Sequence, residues 1–271
     1  MIYPFDFHTH TNLCDGKNSA EDMVKSAIDK GLKAIGFSGH SFTEFDRSYC
    51  MSKTNSKIYE SVITELKEKY QDKLEIYLGI EKDFYSDYDC SDFDYVIGSV
   101  HYVKKGEKYI DVDLSAKDLC DNVDKFYNGD FYAFCKDYYE NVAELYNKTK
   151  CDIIGHFDLV AKFNENDALF KENEQKYIDL ALQTVDKLLK NDVIFEVNTG
   201  AISRGYKTNP YPQNFILEHI KKSGGSTILS SDAHSKDNLC FDFDNTLKLI
   251  KNIGFKTVKT IKNKKFIDIE I

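Results

Sequence analysis

The sequence predicts an α/β fold in which a mainly parallel sheet closes into a barrel. Along the 271 residues, short runs of β-branched and aromatic residues alternate with longer segments that have the apolar spacing of helices. Strands this short and apolar, repeated about seven times, favour a closed barrel over an open sheet. No linker rich in proline, glycine or serine divides the chain, so residues 1–271 are expected to form a single domain.

The expected elements follow from the alternation, along the chain, between short strand-like runs and segments with the apolar periodicity of a helix. The expected strands are residues 2–7, 34–38, 74–80, 95–100, 152–154, 193–197, 226–230 and 257–261. The expected helices are residues 19–31, 56–70, 114–127, 132–147, 172–190, 213–222 and 245–252. The first helix has a capping signal, because Ser19 is followed three residues later by Asp22. Gly224 and Gly225 precede a strand and are expected to form a turn.

Composition and charge exclude several classes of function. The formal charge of −9 disfavours nucleic-acid binding, which needs a basic surface, so no nucleic-acid partner is expected. No apolar run is long enough to span a membrane and the N-terminus lacks the pattern of a secretory signal, so no membrane partner is expected. Seven cysteines without a C-x-x-C pair indicate free thiols in a reducing compartment, and a cytoplasmic location is expected. The oligomeric state stays open.

Six of the seven histidines lie at or just past the end of a predicted strand. In a parallel barrel, the carboxyl ends of all strands converge on one face, so residues far apart in sequence are expected to meet there. Carboxylates accompany the histidines in the same places, whereas His219 lies inside a predicted helix and is expected to have a surface or boundary role. The residues at the strand ends are His8, His10, Asp15, His40, Glu81, His101, His156, Glu196, Asp232 and His234.

Neutral imidazoles and carboxylates together form the ligand set that binds Zn, Mn or Fe ions. His8 and His10 are two residues apart on an extended strand and therefore point to the same side, as do Asp232 and His234. Each motif alone occurs often by chance, and a single histidine is more often a hydrogen-bonded polar residue than a ligand. Their joint placement after different strands predicts a metal site.

The ordered set of motifs resembles the PHP (polymerase and histidinol phosphatase) superfamily of metal-dependent phosphoesterases. Within it, the sequence is similar to the monofunctional histidinol-phosphate phosphatases. The matching segments are residues 6–10 (DFHTH) with 15–16 (DG), 36–41 (GFSGHS), 79–81 (GIE), 94–101 (DYVIGSVH), 155–159 (GHFDL), 196–199 (EVNT) and 230–234 (SSDAH).

This resemblance implies a distorted (β/α)7 barrel, similar to a TIM barrel, with three divalent ions at the carboxyl ends of the strands. One ion would be held by His8, His10, Glu81 and Asp232, a second by Asp15, His40 and His234, and a third by His101 and His156 with Glu81 as the bridge. Two positions depart from relatives. Gly39 stands where an aspartate often precedes the histidine, which removes a possible partner of a neighbouring imidazole. Asp15 stands where some relatives use histidine, and it remains an acceptable ligand.

The implied reaction is hydrolysis of L-histidinol phosphate to L-histidinol and phosphate, a step of histidine biosynthesis, by a hydroxide that bridges two ions. Asp232 and His234 are the expected catalytic residues. Three divalent ions bring more positive charge than Asp15, Glu81, Asp232 and a hydroxide remove, so the pocket stays attractive to a phosphate ester in an acidic protein. A small phosphorylated metabolite is therefore the expected partner.

Arg204 is the first candidate for binding the phosphate, because it follows the sixth strand and its planar fork suits phosphate oxygens. Lys162 is a second candidate, and Ser41 and Arg47 are weaker ones beside His40. Glu196 is expected either to support a metal ligand or to contact a cationic group of the substrate. Cys14 lies beside the expected site and is interpreted as an incidental buried thiol.

Three alternatives stay open. The chain could be a phosphoesterase of the same scaffold that acts on another small phosphorylated metabolite or a nucleotide, which a substrate panel would reveal. It could be a metal-dependent amidohydrolase, although the position of Glu81 and the terminal D-A-H motif fit the phosphoesterase order better and no strand-end lysine matches that family. A non-catalytic metal-binding module is disfavoured by the complete ligand set.

Overall fold

The computed structural model describes residues 3–271, which form eleven strands and nine α-helices. The strands are β1 (Phe5–Asp6), β2 (Ala34–Phe37), β3 (Glu75–Asp83), β4 (Tyr95–Ser99), β5 (Tyr102–Lys105), β6 (Lys108–Asp111), β7 (Ile153–Ile154), β8 (Ile194–Asn198), β9 (Ser226–Ser230), β10 (Thr257–Lys262) and β11 (Lys265–Glu270). The helices are α1 (Ala20–Asp29), α2 (Lys53–Tyr70), α3 (Ala116–Tyr127), α4 (Phe131–Ala143), α5 (Leu145–Thr149), α6 (Gln175–Leu188), α7 (Gly200–Ser203), α8 (Asn214–Lys222) and α9 (Phe243–Ile253).

Seven parallel strands form the wall of a distorted barrel, as the sequence predicts. They follow one another in the order β1-β2-β3-β4-β7-β8-β9. The first and last strands join just beyond β1, where the amide of His10 donates to the carbonyl of Ala233 at 2.9 Å and the amide of Ala233 donates to that of His8 at 3.1 Å. β9 also pairs in parallel with β10, where Lys259 lies opposite Ile228, and β11 pairs antiparallel with β10. Within residues 3–271, the first and last strands of the wall are therefore joined near their carboxyl ends.

The barrel interior is filled by a cluster of buried apolar side chains that alternate with outward-facing residues along the strands. Its members are Phe7, Ala34, Tyr77, Tyr95, Ile97, Ile153, Ile194, Ile228 and Ile261. The Tyr95 ring occupies the space beside two glycines, because a Cβ atom on Gly36 would lie 2.3 Å from its hydroxyl and one on Gly79 would lie 2.1 Å from its ring. The hydroxyl donates to the carbonyl of Phe7 at 2.6 Å, directly before His8. Interior packing thus fixes the backbone that carries the first histidine.

The β5–β6 hairpin is the main element that the sequence analysis missed. It pairs Tyr102 with Asp111 and turns at Gly106, whose φ of +60° suits a tight two-residue connection. The sequence does contain the pattern of a β-hairpin, since aromatic and β-branched residues flank this glycine on both sides. Strand β11 was also missed.

Most other predictions of elements are confirmed to within a few residues, and the capping signal is real, because the Ser19 side chain accepts a hydrogen bond from the amide of Asp22. The predicted strand 2–7 is observed as β1, and its residue 2 lies outside the described residues. The single helix predicted over 132–147 is wrong, because Glu144 leaves the helical conformation at φ −100° and ψ 1° and divides it into α4 and α5. Gly224, at φ +79°, makes the predicted turn before β9. Among residues 3–271, no helix has the length and apolarity needed to cross a bilayer.

Candidate metal centre

The predicted ligands meet at the carboxyl ends of the barrel strands. The predicted ligands lie within or after β1, β2, β3, β4, β7 and β9, so the parallel arrangement of the wall brings them to one place. Their side chains are buried, apart from Asp15 and His234, which are 29% and 24% exposed. The side chains that converge there are His8, His10, Asp15, His40, Glu81, His101, His156, Asp232 and His234.

Glu81 stands at the centre of the cluster, and five imidazoles lie within 4 Å of its carboxylate, including that of His10 at 3.6 Å. Its Oε2 atom lies 2.9 Å from Nδ1 of His40 and 3.2 Å from Nε2 of His8. Its Oε1 atom lies 2.9 Å from Nε2 of His156 and 3.4 Å from Nε2 of His101. One carboxylate therefore reaches ligand groups from four other strand ends, which is the geometry that a bridging ligand requires.

Three overlapping groups of side chains have ligand atoms within 4.8 Å of one another and could each hold an ion. The groups share members, so an ion in one group would lie next to an ion in another. The groups are His10, Asp15, His40 and His234, then His8, His10 and Asp232, and finally His40, Glu81 and His101.

The buried polar atoms of the cluster fit divalent metal ions. Within the described residues, His8 Nε2, His10 Nε2 and Glu81 Oε2 are buried without a hydrogen-bond partner. Such atoms are costly in a protein interior unless something satisfies them. All three point into the cluster, and imidazole nitrogens with carboxylate oxygens are the donor set of Zn, Mn and Fe ions.

The charge states of His10 and Glu81 suit metal binding. Burial, reinforced by the positive charges of His234 and His40, lowers the pKa of His10 to about 3, so its imidazole is neutral near neutral pH. Burial acts to raise the pKa of Glu81, but the neighbouring His40, His8 and His101 outweigh it and hold that pKa well below the ordinary value. A neutral imidazole and an ionised carboxylate are the forms that bind a metal.

Comparison with known families accounts for this arrangement. Residues 6–200 match the PHP domain, and of the predicted ligands only Asp232 and His234 lie beyond the matched stretch. The chain belongs to the PHP domain family.

Relatives and solved structures resemble this PHP protein over nearly their whole length. A probable histidinol-phosphatase of Schizosaccharomyces pombe is 26% identical, over 96% of this chain and 90% of that protein. A candidate histidinol phosphatase of Listeria monocytogenes superposes with a TM-score of 0.79 at 20% identity, over 89% of this chain and 99% of that one. A histidinol phosphate phosphatase of Lactococcus lactis, solved with zinc, L-histidinol and phosphate, superposes with a TM-score of 0.72 at 22% identity, over 98% of this chain and all of that one. The shared fold confirms the predicted barrel.

A second layer of carboxylates orients the imidazoles of the PHP centre. Glu196 is fully buried, and its Oε1 atom lies 2.6 Å from Nδ1 of His8 while its Oε2 accepts the amide of His156 at 2.8 Å. Of the two roles expected for Glu196, the structure thus favours support of a ligand. Asp83, which the sequence analysis missed, lies 3.2 Å from Nδ1 of His101. It could have been found, because it is two residues beyond Glu81 on β3 and points to the same side.

Arg204 lies at the edge of the PHP centre, as predicted. Its guanidinium donates to Oδ2 of Asp232 at 2.9 Å and to the carbonyl of Asp232 at 3.1 Å, and it remains 27% exposed. Gly200 permits this pair, because a Cβ atom there would lie 2.7 Å from the guanidinium and 2.8 Å from the Asp232 carboxylate.

Lys162 and Ser41 are also near the centre. Lys162 and Arg204 both line a pocket of about 290 Å³ that opens onto the cluster, and the Lys162 ammonium donates to the carboxylate of Asp113 at 3.0 Å and to its carbonyl at 2.8 Å. Ser41 is 1% exposed and its amide donates to the carbonyl of Glu81, so it lies behind the bridging carboxylate. Its hydroxyl is without a hydrogen-bond partner among the described residues.

Part of the pocket wall was not predicted, because it comes from the unforeseen hairpin and the loop before α2. Tyr102, Asp111 and Asp113 line the pocket from the hairpin and the segment after it, and Tyr49 stacks edge-on against His40 with ring centres 4.9 Å apart. Burial, reinforced by the charge of Asp113, raises the pKa of Asp111 to about 6. The pocket therefore has acidic and aromatic groups beside its cations.

Three other candidates have the following positions. Arg47 pairs with Glu44 and is 62% exposed at the surface, so the prediction that it helps bind the phosphate is not supported. Burial raises the pKa of the Cys14 thiol, whose sulfur donates to the carbonyl of Thr11 at 3.3 Å and lies 3.6 Å from Nδ1 of His10. Its interpretation as an incidental thiol stays a prediction. His219 lies on α8 and pairs with Asp186, in agreement with a boundary role.

Proposed function

We propose that this PHP protein hydrolyses L-histidinol phosphate to L-histidinol and phosphate, a step of histidine biosynthesis. The observation that carries the proposal is the convergence of nine potential metal ligands, seven of which line one pocket together with two cations suited to phosphate and two further acidic residues. The relative from Lactococcus lactis, solved with zinc, L-histidinol and phosphate, supports the same assignment.

The proposed centre holds three divalent ions of Zn, Mn or Fe. The three overlapping groups of ligand atoms support several ions, although these groups assign His10 and His40 to two ions each and do not include His156. His8, His10, Glu81 and Asp232 would hold one ion, and Asp15, His40 and His234 would hold a second. His101, His156 and the bridging Glu81 would hold the third. When bound, the ions would supply activation of water and stabilisation of charge on the phosphoryl oxygens.

The side chains of this protein would bind and orient the substrate. Arg204 and Lys162 line the pocket with donors that suit phosphate oxygens, and Ser41 is the weaker third candidate because its hydroxyl lies deeper. Asp232 and His234 are the proposed catalytic residues, since both line the pocket at the edge of the cluster. Arg204 is first among the causes that hold the pKa of Asp232 low against its burial, so this carboxylate stays ionised.

The acidic wall supports an alcohol product that carries positive charge. Histidinol has an amine and an imidazole, and the carboxylates of Asp111 and Asp113 can accept hydrogen bonds from such groups. A neutral or anionic metabolite would bring no cation to this wall, where Asp113 is already paired with Lys162 but Asp111 has no ion-pair partner among the described residues. This observation favours histidinol phosphate over nucleotides as the substrate.

The remaining features of the proposal concern the whole chain. One sheet runs from β1 to β11 across the described residues, which supports a single domain over residues 1–271. All seven cysteines are free thiols, which supports a reducing compartment and a cytoplasmic location. The acidic charge supports the absence of a nucleic-acid partner.

The test measures metal content and turnover together. Purified protein should contain several divalent ions and release phosphate from histidinol phosphate faster than from a panel of nucleotides and sugar phosphates. Chelation should abolish the activity, and addition of Zn²⁺ or Mn²⁺ should restore it. Full activity after complete metal removal, or cleavage of amides instead of phosphate esters, would contradict the proposal.

The two arginines of the chain provide a matched pair of variants. Arg204→Met should lower kcat/KM by about a hundredfold, because it removes a charged, bidentate donor to the phosphoryl oxygens. Arg47→Met removes the same charge at an exposed site and should leave kcat/KM unchanged. Equal effects of the two variants would show that Arg204 has no special contact with the substrate.

A further inference from the structure

Lys207 is a buried cation that does not line the metal-centre pocket. Its side chain is 4% exposed, and its ammonium lies 3.6 Å from Oε2 of Glu165 and 3.6 Å from Oε1 of Glu172. Burying a lysine between carboxylates carries a large desolvation cost. The burial of these ion pairs therefore does not by itself indicate that they stabilise the fold. The position of Lys207 within the fold indicates another role.

The ion pairs of Lys207 with Glu165 and Glu172 join two loops, each of which carries one cation suited to binding phosphate. Glu165 and Glu172 belong to the segment between β7 and α6, which also carries Lys162. Lys207 belongs to the segment between β8 and α8, which also carries Arg204. Both loops leave the carboxyl ends of neighbouring parallel strands, so their relative position sets the distance between the two cations at the pocket.

Further contacts run between the same two loops. The amide and the hydroxyl of Thr208 both donate to Oε1 of Glu165, at 3.2 Å and 2.6 Å. The side chain of Gln213 donates to Glu172, and its amide donates to Asp158 at 3.0 Å. We refer to Lys207, Thr208, Glu165 and Glu172 as the loop interlock.

The loop after β7 has little regular structure of its own. Asn166 and Asp167, directly after Glu165, have positive φ angles of 58° and 59°, a conformation that Asn and Asp adopt more readily than other non-glycine residues but that still costs free energy. A segment of this kind persists only when the surrounding contacts hold it. The loop interlock supplies such contacts at both ends of the strained pair.

Lys207 is linked to the two cations at the pocket through its neighbours in the chain. Its neighbour Tyr206 packs edge-on against Phe163 with ring centres 5.4 Å apart, and the Lys162 ammonium lies 4.9 Å from the Tyr206 ring centre. Arg204 is three residues before Lys207, and Gly205 at φ +76° turns the chain between them. A shift of Lys207 would therefore move both Arg204 and the ring beside Lys162.

We infer that Lys207, through the loop interlock, is a positioning residue that holds Arg204 and Lys162 at the separation needed to bind a phosphoryl group together. The inference rests on the proposed function, because it assigns phosphate binding to these two cations. Lys207 itself touches neither the substrate nor the proposed metal ligands. Its loss should therefore weaken phosphate binding without removing metal.

The experiment compares Lys207→Met, Lys207→Arg and Lys67→Met with the wild-type, metal-loaded enzyme. Lys67→Met is the matched control, because Lys67 also pairs with a buried carboxylate, Asp94, but lies on α2 away from the pocket. Inhibition by inorganic phosphate, KM and kcat for histidinol phosphate, and metal content would be measured for each.

Lys207→Met should raise both the KM and the inhibition constant of inorganic phosphate by about tenfold, since a small misplacement of binding groups is enough to lose this much. The metal content should stay constant and kcat should change much less. Lys207→Arg should restore most of the loss, because it keeps the charge between the two glutamates. Lys67→Met should change none of these quantities.

A double-mutant cycle tests whether Lys207 acts through Arg204. In an Arg204→Met background, Lys207→Met should have a much smaller effect than in the wild type, because the effects of residues that are coupled through shared backbone are not additive. If Lys207→Met does not fold, Thr208→Val removes one contact of the loop interlock and should show a smaller effect in the same direction.

The failures of the two proposals are distinguishable. If the wild-type enzyme hydrolyses no phosphomonoester, the proposed function fails. If it does so and Arg204→Met weakens it, but Lys207→Met and Thr208→Val leave phosphate inhibition unchanged, only the positioning role fails. Equal losses in Lys207→Met and Lys67→Met would also overturn the role, since a general loss of stability would explain both.

Discussion

Two buried carboxylates, one at each end of the barrel, show how the same chemical group can serve stability in one place and function in another. Asp94, just before β4, is 2% exposed and accepts hydrogen bonds from Lys67, from Lys264 at 2.8 Å and from the amide of Leu78 at 2.8 Å. Glu81, at the other end, is 1% exposed and accepts a hydrogen bond from Ser99 on Oε1 at 2.6 Å. Within the described residues its Oε2 has no hydrogen-bond partner, although three imidazoles lie close to it. The chain satisfies Asp94 with its own donors, whereas it leaves one oxygen of Glu81 without a donor.

The interior between these ends is apolar and tightly packed. The rings of Phe7, Tyr77 and Tyr95 meet edge-on, with centres between 5.8 and 6.1 Å apart. This layer separates the satisfied ion pair below from the incompletely satisfied cluster above. Substitutions in the Asp94 ion pair, in the apolar interior and in the ligand cluster should therefore differ in whether they change activity, stability or both.

The largest effect is expected at the bridging carboxylate. Glu81→Gln should lower kcat on the order of a thousandfold, because it removes the shared anionic ligand and with it several kcal/mol of metal-dependent stabilisation. Metal analysis of the purified variant should show a loss of bound ions. Asp94→Asn, the matched change at the other end, should keep metal content and kcat, and the comparison fails if both variants lose metal.

The second largest effect is expected from a substitution in the apolar interior of the barrel. Tyr95→Ala should lower the free energy of unfolding by about 3–5 kcal/mol, because it removes a large buried ring and leaves a cavity between two glycines. Urea unfolding of the metal-free protein would measure this change. A loss below about 1 kcal/mol would mean that the interior collapses around the missing ring.

A smaller effect is expected in the second layer of carboxylates. Glu196→Gln should weaken metal affinity by about ten- to a hundredfold, because the carboxylate no longer orients the imidazole of His8. Competition with a chromogenic chelator would measure the affinity at constant pH. Unchanged affinity would show that strand geometry alone orients the histidine.

The smallest effect is expected at the satisfied ion pair. Burial acts to raise the pKa of Asp94, but hydrogen bonds from Lys264 and Lys67 outweigh it and lower the pKa. A lowered carboxyl pKa stabilises the fold above the ordinary value, about 3.9, and this contribution is lost as the pH falls through the lowered value. Lys67→Met should therefore cost about 1 kcal/mol near neutral pH and less in acid, as measured by urea unfolding at both conditions. An equal cost at both pH values would exclude an electrostatic origin.

The difference between the ends also explains which features were predictable. Histidines and carboxylates placed after successive apolar strands are visible in the sequence, so all nine proposed ligands could be named before the fold was known. The β5–β6 hairpin was not expected, and the pocket residues Tyr102, Asp111 and Asp113 were missed with it. Lys207 resembles many other lysines in the sequence, and only its burial between two glutamates distinguishes it.

The sequence by itself determined the parallel α/β barrel, the cluster of imidazoles and carboxylates at its carboxyl end, and Arg204 as a neighbour of that cluster. It could do so because strand periodicity fixes where each strand ends, and parallel strands bring their ends together. Only the tertiary structure decided that Glu196 supports His8, that Arg47 lies at the surface and that Lys207 joins two loops. These features depend on the directions of side chains and loops, which are set by packing between segments distant in sequence.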